Sequence, residues 1–97
     1  MEVRIDRKAR HIVEDAGGVV TAEVRAVTGC MVTRRVEVRA EKPDDPSAYF
    51  EREVGSLTVF TRGVLEGPDG VRPLPEDALP ARVRIRHRDG TLVAEAR

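Results

Sequence analysis

One thiol, two imidazoles and a row of four guanidinium groups are the side chains of this sequence best equipped for chemistry. Cys30 is the single cysteine. It follows Gly29 and precedes Met31, between two segments that alternate like strands. A cysteine beside glycine at such a tip can be exposed, and an exposed thiolate is a nucleophile, a soft-metal ligand or a redox sensor. The competing reading is a buried cysteine acting as a small hydrophobe. With no second cysteine, an internal disulfide and dithiol cycling within one chain are excluded. His11 and His87 complete the soft-ligand inventory. A tetrahedral zinc site needs four protein ligands, or three plus water, and the spacings here match no metal motif. His11 lies near the apolar stripe of a predicted helix and His87 on the inward face of a predicted hairpin, so each reads as a packed, hydrogen-bonded histidine. One chain alone is therefore expected to bind no metal ion or iron–sulfur cluster, whereas a symmetric oligomer could share one between several Cys30 thiolates.

Arg82, Arg84, Arg86 and Arg88 occupy every second position of one predicted strand. Period two places all four on one sheet face, a cationic stripe suited to phosphate or carboxylate. The plainer reading is a solvated face with cross-strand partners, and Glu95 is predicted to stand opposite Arg84. Nucleic-acid readers interleave aromatics for stacking, and this stripe has none, so nucleic acid is not an expected partner. Enzyme signatures are thin. No glycine-rich phosphate loop precedes a helix, and Gly63 to Gly70 does not fit a P-loop. Asp44 and Asp45, adjacent in a proline-bounded loop, read as turn caps rather than an acid–base pair. The chain is expected to be non-enzymatic.

Composition narrows the setting. Ninety-seven residues make one domain with a modest core. Three aromatics leave Val, Ile, Leu and Ala to fill that core. Seventeen basic residues balance seventeen acidic ones, which removes any global attraction to polyanions or anionic membranes. Asn and Gln are absent and Arg far outnumbers Lys, a bias that points to a thermophilic, GC-rich source. No apolar run approaches the length of a membrane span and the first residues lack a signal-peptide core, so the expected location is the cytoplasm.

The elements that must position these groups follow from periodicity. Residues 2–5 alternate as a first strand. Asp6 is a suitable N-cap, and Ala9, Ile12, Val13 and Ala16 form one helical stripe ended by Gly17-Gly18, predicting a helix over 7–16. Residues 19–28 read as a strand with Val20, Ala22, Val24 and Ala26 on one side and Thr21, Glu23 and Arg25 on the other. Residues 32–40 alternate likewise, apart from Arg34. One buried and one wet face is antiparallel behaviour. Residues 41–47 form a loop, with a helical turn from Asp45-Pro46 to Tyr49. Glu51 to Thr61 reads as strand interrupted at Gly55-Ser56, and residues 63–80 as mostly loop with a turn at Pro68-Asp69-Gly70. Ala81 to Arg88, Asp89-Gly90 and Thr91 to Ala96 form a two-residue hairpin, whose register sets Arg88 opposite Thr91, His87 opposite Leu92, Ile85 opposite Ala94 and Arg84 opposite Glu95.

Several stretches, in order, resemble the HesB-like superfamily, the A-type iron–sulfur cluster carriers. Ile5 to Val13 resembles its strand and following helix with an early alanine. Gly55-Ser56-Leu57-Thr58-Val59-Phe60-Thr61 with Gly63-Val64-Leu65-Glu66-Gly67 resembles its central strand and turn. The nearest likeness is to a branch with a Gly-Cys-Cys or Gly-Cys-selenocysteine motif after the second strand. Here Gly18-Val19-Val20-Thr21 followed by Gly29-Cys30-Met31 is the matching stretch, and Lys42 to Tyr49 resembles that branch's loop. The likeness spans residues 3 to about 67. The second position of the Cys pair is Met31, and the C-terminal Cys-x-Cys of the carriers has no counterpart. The resemblance implies a small α+β, mostly antiparallel HesB-like domain with one N-terminal amphipathic helix, assembling into a dimer or larger homo-oligomer; with the C-terminal hairpin read from the residues themselves, a single domain over residues 1–97 is expected. The leading expectation is a carrier-like protein with Cys30 as its one reactive atom, working with a protein partner. The alternatives are an interaction module that binds an anionic partner through the arginine stripe, and a purely structural homo-oligomer.

Overall fold

A computed structural model describes residues 1–27 and 33–96. Cys30, Gly29, Met31 and Val32 therefore lie outside the described residues.

The first strand, β1 (Glu2–Ile5), leads straight into helix α1 (Arg7–Asp15). The expected stop follows at once. Gly17 and Gly18 adopt positive φ, and the Gly18 amide donates to the Val13 carbonyl at 2.8 Å, closing the helix with a left-handed cap. Ala9 and Val13 are fully buried, so the stripe that predicted the helix is also the face that anchors it.

Six further strands and a final hairpin partner complete the fold: β2 (Val19–Val27), β3 (Thr33–Arg39), β4 (Phe50–Val54), β5 (Leu57–Gly67), β6 (Gly70–Pro73), β7 (Arg82–Arg88) and β8 (Thr91–Ala96). Single 3-10 turns at Pro46–Ala48 and Glu76–Ala78 bridge the longer connections. The smaller sheet has the order β1-β7-β8 and the larger β3-β2-β5-β4, with β6 also on β5. Among the described residues four ladders are antiparallel, and two, β1–β7 and β2–β5, are parallel. The class is the expected α+β, mostly antiparallel one.

Val3, Val83 and Ile85 from the smaller sheet, Val20, Leu57 and Val59 from the larger, and Ala9 and Val13 from α1 share one core. The helix and both sheets thus bury their apolar faces against one another. The hairpin register is the predicted one at every position named, and Asp89 and Gly90 both take positive φ, as a type I′ turn requires.

Two expectations need correction. Residues 63–80 are not mostly loop: β5 runs on to Gly67 and pairs back with β6 through the turn at Pro68-Asp69. β2 has no wet face over most of its length either. Thr21 and Glu23 are as buried as their apolar neighbours, because the segment from Glu41 to Tyr49 crosses over them. The Thr21 hydroxyl donates to the Glu41 carbonyl at 2.7 Å, which satisfies a polar group that would otherwise be costly to bury.

Candidate functional site

The arginine stripe lies wholly within β7. Arg82, Arg84, Arg86 and Arg88 all point to the outer face of the smaller sheet, each exposed. That face carries its own carboxylates. Arg84 donates to both oxygens of Asp6, Nε at 3.0 Å and Nη2 at 3.2 Å. Arg86 donates from Nη1 to Glu95 at 2.9 Å. Arg82 lies 3.5 Å from Glu2, which Arg4 also holds at 2.8 Å. Among the described residues only Arg88 of the four has no ion-pair partner. The register set Glu95 opposite Arg84, yet its carboxylate bonds diagonally to Arg86, because Asp6 already occupies Arg84 in the bidentate geometry that guanidinium favours. The same choice strips Asp6 of its expected role: it stands at the N-cap position but makes no side-chain cap bond. These hydrogen bonds hold the Arg84 guanidinium more firmly protonated than usual, and the Arg4 bond holds the Glu2 carboxyl below the usual range. The face is a lattice of exposed pairs with a small cationic excess.

A second constellation was not foreseen. Glu23, in the middle of β2, is 6% exposed and accepts from three donors: Arg25 Nε at 2.6 Å, Arg62 Nε, and the Tyr49 hydroxyl at 3.2 Å. The elements bring these together by register. Arg62 of β5 is the parallel partner of Glu23, and Arg25 stands two residues on along the same face of β2. Arg62 lies over the Tyr49 ring, 4.5 Å from its centroid, in a cation–π contact. Arg25 extends the network to Glu66, and to Glu37 at 3.8 Å. Burial pushes the Glu23 carboxyl up, and the hydrogen bonds and charges of Arg25 and Arg62 more than reverse it, holding the group below the usual carboxylate range. Burial, then the Glu23 charge, pushes the Tyr49 hydroxyl up. A cavity of about 250 Å³ opens on this cluster, with Arg39, Asp44 and Asp45 at its rim. The one sequence signal was a carboxylate among buried positions of a nine-residue strand; its partners come from β5 and the crossing segment, which no local pattern reveals.

The histidines divide. His11 is exposed on α1, contrary to the packed reading, because it falls off the Ala9–Val13 side. His87 is half-buried and accepts at Nε2 from the Gly90 amide at 3.0 Å, bracing the hairpin turn. Asp45 precedes the 3-10 turn without a side-chain cap bond and instead accepts from the Ser47 hydroxyl at 2.6 Å. Among the described residues no group of three or more His, Cys, Asp or Glu converges to hold a metal ion, and no helix is long and apolar enough to cross a membrane.

Cys30 belongs to the connection between β2 and β3. The last pair of that ladder is Val27 with Thr33, and the five residues between them lie outside the described residues. A family model, described as the CC/Se motif containing family, matches residues 1–72 and so spans this connection. The chain belongs to that family. No curated protein matches the chain, and no solved structure does. The family's region takes in β1 to β5, β6 as far as Arg72, and the whole Glu23 cluster, and it leaves the arginine-bearing hairpin outside.

Proposed function

We propose that this protein is a non-enzymatic, HesB-like relative of the iron–sulfur and sulfur carriers, and that Cys30 is its reacting atom. The observation that carries the reading is the family match over residues 1–72, which includes Gly29-Cys30-Met31 and belongs to a family described by a Cys-Cys or selenium motif. The larger sheet supports it: β2 and β3 are paired up to Val27 and Thr33, so the connection that bears the thiol starts and ends on a rigid ladder. Met31 offers a thioether, a weak ligand that cannot form a disulfide. One thiol per chain then sets the stoichiometry. A soft metal or a cluster, as cargo, takes its remaining donors from a second copy of the chain or from a partner protein, in the cytoplasm.

The test is anaerobic reconstitution with iron and sulfide, comparing the wild type with Cys30→Ser. The expected result is visible absorbance that elutes with a dimer or larger species, lost in the variant. No absorbance, together with no reaction of the folded protein with a thiol reagent, would remove the proposal.

A further inference from the structure

β3 is an edge strand. β2 covers one side of it, and among the described residues no strand lies on the other. Its outer row of backbone amides and carbonyls is open to a further strand. Arg35, Glu37 and Arg39 share one face of the sheet, while Val36 and Val38 share the other and pack on the core. Within the chain the charges of β3 are poorly matched across the ladder. Glu37 stands opposite Glu23, and Arg35 opposite Arg25. Like charges directly opposite one another are unfavourable. Glu37 reaches diagonally to Arg25 only at 3.8 Å. Arg35 and Glu37 bond to each other along the strand at 3.1 Å, but 66% and 47% of their side chains are exposed, so the pair by itself is worth little.

The outer edge matches these charges where β2 does not. A two-fold axis through Val36, perpendicular to the sheet, lays β3 of a second copy antiparallel to the first in full overlap. Thr33 then stands opposite Arg39 of the second copy. Arg35 stands opposite Glu37 of the second copy, and the symmetry repeats that contact. The bond along each strand is kept, and with the two new contacts it closes a ring of four alternating charges. On the inner side Val36 meets its own counterpart, with Val38 of the second copy diagonal to it. Val36 and Val38 are each half-buried, so a further strand can cover what remains open. A cavity of about 510 Å³ beside Arg34 and Val36, walled by Leu79, Pro80 and Ala94, leaves room on this flank. The other described edges do not match themselves in this way. β4 laid on itself sets Glu51 opposite Glu53. β1, β6 and β8 have even numbers of residues, so full overlap would set a residue of one face opposite a residue of the other.

We infer that β3 is a dimerisation edge of this protein and that its partner is β3 of a second copy. The inference does not rest on the thiol reading. The connections that bear Cys30 precede Thr33, so they leave from opposite ends of the shared ladder. One seven-residue ladder is smaller than a standard stable interface, so association in the micromolar range is expected. The experiment is sedimentation velocity on the full chain from about 5 to 500 µM, a range that brackets so small a contact. Arg35→Glu and Glu37→Arg each turn both cross-copy contacts repulsive and should weaken the dimer about tenfold or more. Mixing the two variants should restore it, because each charge then faces its opposite on the other chain, and so should the double substitution. Both positions are exposed, and an unchanged far-UV circular dichroism spectrum verifies that the variants fold. A second measurement needs no change of charge: Val36→Cys in a Cys30→Ser background should link two copies when treated with oxidised glutathione, and Glu53→Cys on β4 in that background should not. A monomer over the whole range would overturn the inference. So would single variants that dimerise like the wild type, a mixture no better than its components, or equal linking at the two positions. Cys30→Ser alone should dimerise like the wild type; loss of the dimer there would assign the contact to the thiol and overturn this pairing.

Discussion

Replacing Glu23 by Gln keeps the shape of the side chain and removes its charge. The amide can satisfy fewer of the three donors that now converge on the carboxylate, and its own NH₂ faces two guanidinium groups. Removing one partner from a fully buried pair costs about 3–5 kcal/mol. Here the Glu23 side chain is 8% exposed, but Arg25 and Arg62 retain 28% and 32%, so both cations can recover some hydration. Arg25 also keeps Glu66 and Glu37. The cost should therefore lie nearer 2–3 kcal/mol, a fall in Tm of roughly 10–20 °C for a domain of this size. The pH dependence has a definite sign. The folded pKa of Glu23 lies below its ordinary 4.5, so its contribution is complete above that value and is lost as the pH falls through the lower, folded one. Urea unfolding followed by far-UV circular dichroism at pH 7, 5 and 3 should show a constant gap between wild type and variant at the two higher values and a narrower one at pH 3. A gap below about 0.5 kcal/mol at pH 7, the level of an exposed pair, would refute the argument, as would a gap that ignores acid.

Gly63→Ala should destabilise the fold by about 1–3 kcal/mol, since a Cβ there would overlap Leu79 Cδ2 and lie 3.0 Å from Leu74 Cδ1; chemical denaturation reads this, and a neutral outcome would mean that the segment around residues 74–79 shifts freely. Arg84→Met should leave the melting temperature almost unchanged despite its bidentate bond to Asp6, because both side chains are more than a third exposed; any difference should shrink further as salt is raised during the melt.

The parts of the fold written in short-range chemistry were legible in the sequence. The hairpin needed only alternation and Asp89-Gly90, a pair that supplies two positive φ angles in succession. The helix needed only its stripe and its two glycines. What escaped depended on neighbours distant along the chain. Residues 62–66 carry a glycine and no clean alternation, and they are strand because β2 pairs with all of them on one side and β6 with Val64 to Glu66 on the other. Pro73 is tolerated because β6 is an edge strand, where a missing amide is not needed for a second ladder. Glu23 appeared to be one residue of a solvated row, until Arg62 and Tyr49 arrived from β5 and the crossing segment. The same holds for Asp6, whose local signal as a cap was sound and whose carboxylate was taken by an arginine far along the chain. For the candidate site, the arginine row was legible in position, and its neutralisation by Glu2, Asp6 and Glu95 was legible only in part.

The parallel ladder between β1 and β7 joins regions with different standing. β1 lies inside the stretch that matches the family, and β7 lies beyond it. Among the described residues, β1 has no other strand beside it. The opening segment of the chain must therefore wait unpaired until the last hairpin is available, so sheet closure is a late, long-range event in folding. A polypeptide cut after residue 72 would retain all the family's recognisable sequence and still lose Val83 and Ile85, which close the interior beside Val3. For this architecture, the region that identifies the lineage and the region able to stand as a folded body are different lengths of chain.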